Sequence, residues 1–420
     1  MTAPPPNPPA RKDFRRFWWA EAGSTFGTAC TATAVSAVAV DQLHAQGWEL
    51  GLLTACAYLP TLLLGPRAGR FADETPRPRR QLVRGDFLAL LFLLATCAAA
   101  LHGSLSVAWL ILLELALGTV LLVGETIYFT HLQTLVPPGE LVAARARLQA
   151  GTSGATIAGS SVAGLLLAAV GGAAVFALDA FTYLLSALLL TGIRAPDTAG
   201  PAPPPGDTDR TPPSARPLFT RGGPLRTTLC LLLVQALAAG TTAALLAPLL
   251  LREAGLPLTL FGLALSTTGV AGVLGAWGAT RLRPGSGPRT LAICALVHVI
   301  GNSLVACASG TPATALALAA AGLMTAKGAG AVANVALSEV ITTHAPPHLL
   351  GRTVAFLRTS STVCQITGAL AGGVAATAGG VRYVMLAAAL LPLAALPLVA
   401  TFLTRPDPPR RPRHARKDPA

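Results

Sequence analysis

Charged residues are scarce in this chain. Asp, Glu, Lys and Arg make up 12% of its 420 residues, about half the share found in an average soluble protein. Hydrophobic residues make up 52%, and the mean hydropathy is +0.59. Because so few charges cannot cover a water-exposed surface of this size, we predict that most of the chain lies in a membrane.

Motifs for catalysis, metal binding and nucleotide binding are missing. The seven cysteines include no Cys-x-x-Cys pair and lie in apolar runs, so neither a disulfide framework nor a zinc site is expected. No G-x-x-x-x-G-K-[ST] loop occurs, which excludes an ATP-driven pump. No cluster of His, Asp and Cys residues suggests an active site. We predict no cofactor and no metal, and a membrane-embedded enzyme is only a remote alternative.

Long apolar segments recur along the chain. The run 107–124 can cross a hydrocarbon core as a helix, which takes about 20 residues. Strands of an outer-membrane barrel would alternate apolar and polar residues, and no such alternation is visible. We therefore predict an all-α integral membrane protein with twelve transmembrane helices. Their approximate bounds are 15–42, 49–70, 84–102, 106–134, 147–170, 173–193, 225–251, 258–282, 289–308, 312–342, 353–378 and 381–404.

Stretches rich in Pro, Gly and charge separate these segments into two groups. Such stretches cannot bury a core, and they are typical of flexible linkers and disordered tails. We predict two six-helix bundles, 15–194 and 225–404, joined by a cytoplasmic linker at 195–224. Disordered tails at 1–14 and 405–420 complete the predicted organisation.

The net charge is +13, and the bases are unevenly distributed. They cluster between apolar segments, whereas a nucleic-acid-binding protein would gather them on one face. With the N-terminus in the cytoplasm, the opposite loops hold only Arg252 and Arg382, in agreement with the positive-inside rule. The Arg, Ala and Pro bias is typical of a GC-rich bacterial genome. We predict a multi-pass protein of a bacterial plasma membrane with both termini cytoplasmic and no nucleic-acid partner. The basic clusters lie at 11–16, 70–84, 194–226, 281–289 and 405–417.

The two halves of the chain repeat one another. A shift of 211 residues pairs Gly51 with Gly262 and Arg70 with Arg281. We therefore predict parallel, pseudo-symmetric halves, a construction that places the substrate site of many secondary transporters at the interface of the halves. A shift of 209 residues gives the pairs Pro137/Pro346, Pro138/Pro347, Leu148/Leu357, Ile157/Ile366, Gly159/Gly368, Gly164/Gly373 and Gly171/Gly380.

The stretch GRFADETPRPRR (69–80) holds four arginines and two acids between the second and third apolar segments. It resembles the loop signature G-x-x-x-D-R-x-G-R-R/K of the major facilitator superfamily, although Glu74 stands where the signature has Arg. In that family the loop latches the second helix against a later helix in the outward-facing state. The resemblance implies a cytoplasmic gating loop formed by Gly69, Asp73, Arg77, Arg79 and Arg80.

Other stretches resemble the macrolide-efflux and siderophore-exporter branch of that family. They are FRRFWWAEAGSTFGT in the first segment, LVPPGELVAARARLQAGTSGATIAG around the start of the fifth and LDAFTYLLSALLL in the sixth. Gly159-Ser160 stands where drug antiporters of the family usually carry Gly-Pro. The resemblance covers essentially the whole chain and implies a monomeric exporter of small amphipathic molecules of the drug:proton antiporter type. Its partners would be the small-molecule substrate, protons and the lipid bilayer.

Ionisable residues inside apolar segments are costly and mark transport pathways. Glu114 and Glu125 lie about three helical turns apart on one face of the fourth segment, and Lys327 and Asn334 share a face of the tenth. The shift of 209 maps Glu125 onto Asn334, and the family's fourth and tenth helices line the central cavity. We expect these four residues to face that cavity and a carboxylate there to exchange protons. A Glu–Lys pair that only joins the halves is the alternative.

Asp179 in the sixth segment and Glu21 in the first are secondary candidates. Asp179 matches an acid of the family's sixth helix, and we expect it to be structural. Glu21 lies within two turns of the cytoplasmic end, where its carboxylate can reach water. An alternative function is the export or import of one defined metabolite or siderophore, not necessarily coupled to protons. A siderophore cavity would hold more bases than Lys327, the one embedded base in the sequence.

Overall fold

The structure is a computed structural model that describes residues 8–195, 197, 219, 223–283, 285–346, 349–395, 397 and 400. The twelve α-helices with bounds inside these ranges are α1 (Pro8–Asp41), α2 (Gly47–Glu74), α3 (Pro78–Leu101), α4 (Val107–Leu135), α5 (Leu141–Ala169), α6 (Gly172–Thr191), α7 (Pro224–Pro248), α8 (Leu258–Ala279), α9 (Gly287–Ala306), α10 (Pro312–His344), α11 (Leu350–Gly379) and α12 (Val381–Leu390). In the same ranges, a π-helical turn (Leu249–Glu253) follows α7 and a 3₁₀ turn (Leu391–Ala395) follows α12.

The predicted all-helical membrane fold is confirmed. Among the described residues, ten helices, α1 to α10, are long and apolar enough to cross a membrane. The helix α11 has a polar N-terminal half, and α12 is a short apolar helix that continues into the 3₁₀ turn. Each of the twelve predicted segments corresponds to one helix. The predicted tail 405–420 and most of the linker 195–224 lie outside the described residues, so the domain bounds stay predictions.

Successive helices run in opposite directions, so the connections fall on two faces. We call the face where α1 begins and where α2 turns into α3 the arginine-rich face, because it carries four of the predicted basic clusters within or next to the described ranges. The opposite face, where α1 turns into α2 and where the π turn lies, is the arginine-poor face. Arg252 and Arg382 belong to it.

The predicted gating loop 69–80 is mostly helical, which corrects its description as a loop. The helix α2 continues to Glu74 and α3 begins at Pro78, so only residues 75–77 form a turn. At 28 residues, α2 is longer than the roughly 20 that a bilayer needs, so its charged last turns can stay helical in water. Proline, as at Pro78, is favoured in the first turn of a helix because backbone N–H groups there have no acceptor within the helix, so the lack of an N–H costs nothing.

Helix packing inside the two bundles follows the predicted repeat. The helix α1 packs on α5 and α6, and α7 packs on α11. Gly159 of α5 lies so close to α1 that an added Cβ would come within 2.5 Å of the carbonyl oxygen of Phe26. Gly368 of α11 meets the carbonyl oxygen of Leu237 in α7 in the same way. These two contacts are related by the shifts of 209 and 211 found in the sequence.

Two further glycine contacts join the bundles to each other, α2 to α11 and α5 to α8. A Cβ added at Gly51 would lie 3.2 Å from the Cα of Gly373, and one added at Gly164 would lie 2.9 Å from the Cα of Gly262. The repeat also relates these two contacts. Both lie within about two turns of the helix ends at the arginine-poor face, so the bundles touch backbone to backbone at that face.

The contact at Gly159 should be intolerant of a side chain. We expect Gly159→Ala to force α1 and α5 apart and to lower stability by about 1–3 kcal/mol, the usual cost of overpacking, seen as a lower temperature of thermal aggregation in detergent. Gly154→Ala is the matched control on α5, because an added Cβ there meets nothing within 4 Å. An equal loss in both variants would show that helix contact at Gly159 is not the cause.

Candidate functional site

A cavity of about 790 Å³ lies inside the N-terminal bundle, in its half nearest the arginine-rich face. Its walls come from α1, α3, α4, α5 and α6, with Phe71 of α2 at the edge. All of its lining residues lie between Phe17 and Leu190. The cavity is therefore lined by the N-terminal bundle, whereas the sequence predicts the substrate site at the interface between the two bundles.

Three carboxylates from three different helices face this cavity. They are Glu21 of α1, Asp86 of α3 and Glu125 of α4. The charges of Asp86 and Glu125 both act on Glu21. Asp86 accepts a hydrogen bond of 2.7 Å from the Ser186 hydroxyl on α6. Acids that converge in a partly dry space favour a bound proton or a bound cation, because their like charges repel.

The remaining wall combines aromatic rings with polar groups. Phe17 and Tyr128 stack with their ring centroids 4.7 Å apart. The hydroxyl of Tyr183 lies 3.1 Å from that of Thr28. Most of the remaining lining atoms are aliphatic. A wall of this kind suits a ligand with both an apolar body and polar substituents.

Two arginines, Arg84 of α3 and Arg145 of α5, also line the cavity. The guanidinium of Arg84 lies 3.4 Å from the amide oxygen of Gln81. Both arginines are exposed and lie within two turns of the starts of their helices at the arginine-rich face. The expectation that Lys327 is the one base embedded in an apolar segment therefore stays a prediction. Asp86 was missed, although an acid inside the apolar run of α3 is a signal under the same rule that found Glu125.

The other predicted cavity residues lie elsewhere. Glu114 is half-buried on α4 and faces α2, where its charge acts on Cys56 and Tyr58. Lys327 and Asn334 have exposed side chains on α10. In the described part of the chain, Lys327 forms no ion pair with Glu114 or Glu125. The structure thus places Glu125 in one cavity wall with Glu21 and Asp86, whereas Glu114, Lys327 and Asn334 do not line that cavity.

The arginines of the predicted gating stretch hold helix ends together. The guanidinium of Arg79 donates to the carbonyl oxygens of Ile193 (2.5 Å) and Ala195 (3.1 Å), just after α6. The carboxylate of Asp197 accepts from the backbone N–H groups of Arg79 (2.8 Å) and Arg80 (3.3 Å) and so caps the start of α3. These contacts stay inside the N-terminal bundle.

Two other members of this stretch, Gly69 and Arg77, lie in open surroundings. Gly69 has nothing within 4 Å of an added Cβ, and Arg77 is exposed in the turn before α3. The side chain of Asp73 lies outside the described residues. The latch between α2 and a later helix therefore stays a prediction.

Asp179 is fully buried between α6 and α1. Its carboxylate accepts hydrogen bonds from the hydroxyls of Thr31 (2.6 Å) and Thr182 (3.0 Å). Gly27 of α1 leaves the room that this carboxylate occupies. The geometry is that of a structural tie between two helices, and the side chain does not line the cavity.

The family model described as Major Facilitator Superfamily matches residues 17–363 and 289–420. No curated protein matches the sequence.

Solved structures of transporters share the fold. A bacterial homologue of the iron transporter ferroportin, in an inward-facing state, has a TM-score of 0.73 at 16% identity over 94% of this chain and 99% of its own. A bacterial homologue of the human lysosomal transporter Spinster, inward-facing and occupied, has a TM-score of 0.71 at 14% identity over 95% and 98%. The nucleoside transporter NupG has a TM-score of 0.71 at 11% identity over 93% and 98%.

The tie at Asp179 can be separated from a transport role. We expect Asp179→Ala to lower stability by about 1–3 kcal/mol, because the buried hydroxyl of Thr31 loses its acceptor. Thr31→Val removes the same bond from the other side, so both variants should unfold at lower temperature in detergent and transport normally once folded. If Asp179→Asn instead abolished transport at unchanged stability, the residue would belong to the transport pathway.

Proposed function

The chain belongs to the major facilitator superfamily of secondary transporters, which are not enzymes, and on that premise we propose that it exports small amphipathic molecules in exchange for protons. It is a multi-pass integral membrane protein. The observation that carries the proposal is the cavity of about 790 Å³ with Glu21, Asp86 and Glu125 in its wall. In this proposal the substrate is a drug or a secondary metabolite, and its export can confer multidrug resistance.

The size and the lining of the cavity support a small-molecule substrate. Binding sites for small molecules usually measure about 300–1,000 Å³ and are mostly apolar, with a few polar groups that fix orientation. Phe17, Tyr128 and the aliphatic wall supply the apolar part, and the three acids supply the polar part. A cationic or hydrogen-bonding amphipathic molecule meets both requirements.

Proton coupling is assigned to Glu125. Its side chain is exposed in the wall of the cavity, which it shares with Glu21 and Asp86. Like charges that face one cavity repel, and a cation or proton bound among them relieves the repulsion. A substrate that supplies positive or donor groups then displaces the proton. In this scheme substrate and proton compete for one site, which is the simplest form of antiport.

The remaining sequence candidates keep their assignments as proposals. Glu114, Lys327 and Asn334 are proposed to contact substrate in other states of the transport cycle. The gating stretch is proposed to latch the bundles when the arginine-rich face is closed. We assign the arginine-rich face to the cytoplasm of a bacterial cell because bases accumulate on cytoplasmic loops.

A second candidate function is favoured by Arg84 and Arg145. Two guanidinium groups in the wall suit a substrate with a carboxylate or another acidic group. The alternative is therefore a transporter that exports or imports one defined acidic metabolite or siderophore, not necessarily coupled to protons.

The experiment uses inside-out membrane vesicles with an acidic interior and a pH-sensitive dye. Cationic and neutral antibiotics and dyes, and then a panel of acidic metabolites, are added from outside. We expect at least one amphipathic compound to dissipate the gradient in wild-type vesicles and to have no effect in Glu125→Gln vesicles, because that variant cannot exchange a proton.

Glu140→Gln is the matched control, since this acid is exposed in the turn before α5 and lies outside the cavity. It should behave like the wild type. If labelled compound enters the vesicles while the gradient persists in all variants, proton coupling is wrong. If only acidic metabolites are transported, the second candidate replaces the first.

A further inference from the structure

Arg252 makes a polar contact between the two bundles at the arginine-poor face. Its guanidinium donates to the carbonyl oxygen of Val40 at 2.6 Å and to that of Ala45 at 2.9 Å. Val40 lies in the last turn of α1 and Ala45 in the connection to α2, so both acceptors belong to the N-terminal bundle. Arg252 itself belongs to the C-terminal bundle, in the π turn Leu249–Glu253.

The contact meets a need of α1. The last carbonyl groups of a helix have no partner within the helix, and a cation near them is favourable. The last turn of α1 contains no basic residue of its own. Arg252 supplies that cation from the other bundle, with two donors in one rigid fork that lysine lacks.

The neighbouring residue anchors the π turn to the C-terminal bundle. The carboxylate of Glu253 forms an ion pair with Arg382 at 3.2 Å and also accepts from its backbone N–H at 3.2 Å. The same arginine donates to the carbonyl oxygen of Ala308, just beyond α9. One residue of the turn therefore holds the C-terminal bundle while the next holds the N-terminal bundle.

The two residues that hold opposite bundles are neighbours in one π turn. The turn follows Pro248, which ends α7, and it has five residues per hydrogen-bonded step. Single π turns are rare and concentrate at functional positions.

We infer that Arg252 and the π turn form a clasp that holds the arginine-poor face closed and must release whenever that face opens during transport. Arg252 is thus a positioning residue for alternating access, which works through the end of α1. The glycine contacts Gly51–Gly373 and Gly164–Gly262 lie near the same face. These glycine contacts are packing contacts between helices. The hydrogen bonds of the clasp can break while the helices stay packed. This inference rests on family membership and not on the proposed substrate or on proton coupling, so its failure would leave those proposals unaffected.

The test measures the opening of this face by the distance between two spin labels. One label is on the native Cys307, which is exposed after α9, and the other is at Ser104→Cys, exposed between α3 and α4. The other six cysteines are replaced by alanine. Double electron–electron resonance in lipid nanodiscs then reports the populations with short and with long distances between the two labels.

We expect Arg252→Gln to raise the long-distance population about tenfold, as the loss of one charge-assisted hydrogen bond implies. Arg252→Lys keeps the charge without the fork and should give a smaller shift. Glu253→Gln, which frees the turn from Arg382, should shift the population in the same direction. The double variant should add little to Arg252→Gln, because both changes release one device.

Arg67→Gln is the control, since Arg67 is exposed and donates within α2 to Leu63. It should leave the populations unchanged. The clasp is disproved if folded Arg252→Gln shows the wild-type populations. Should Arg252→Gln fail to fold, wild-type populations in Arg252→Lys would equally disprove the clasp. Additive shifts in the double variant would contradict a single device.

Discussion

Backbone contact at glycine is the constraint that organises this protein. In lipid, apolar helices gain little from being buried against each other instead of against lipid tails, so their association depends on close packing. Gly159 and Gly368 let each bundle close around its first helix. The contacts Gly51–Gly373 and Gly164–Gly262 then join the bundles near the arginine-poor face. The two halves are thus held together at one end, while the cavity lies near the other end.

Polar groups inside the bundles show two different solutions to the cost of burial. Asp179 has two hydroxyl donors and no access to the cavity, so its polar atoms serve packing. Glu21, Asp86 and Glu125 share a cavity large enough for a ligand. Among the described residues, Asp86 accepts a hydrogen bond from the hydroxyl of Ser186 and also lines this cavity. Acids with internal partners stabilise a structure, whereas acids directed into a cavity are available for ligands and protons.

Arginine has a structural role here as well as a topological one. Arg16 binds the carbonyl oxygen of Gly192, and Arg79 binds two carbonyl oxygens of the same connection. Arg252 and Arg382 bind helix-end carbonyl groups at the opposite face. Where a helix leaves the bilayer, its last carbonyl groups need donors, and the forked guanidinium satisfies several of them. The same residue type that sets orientation therefore also closes the helix ends.

The sequence by itself determined the helical membrane fold, the two halves and the family. Apolar length, base clusters and the glycine register at 159/368 and 164/373 are local or periodic signals that need no folded chain. It also identified Glu125 and Glu21 as ionisable residues inside apolar runs.

The tertiary structure alone decided which ionisable residues meet. Pseudo-symmetry pairs Glu125 with Asn334 along the chain, but side chains on related helices turn to different neighbours, and Glu125 meets Glu21 and Asp86 instead. Whether Arg84 lines the cavity depends on the helices packed around α3. The bonds from Arg252 to Val40 and Ala45 join residues more than 200 positions apart, so no local pattern could reveal them.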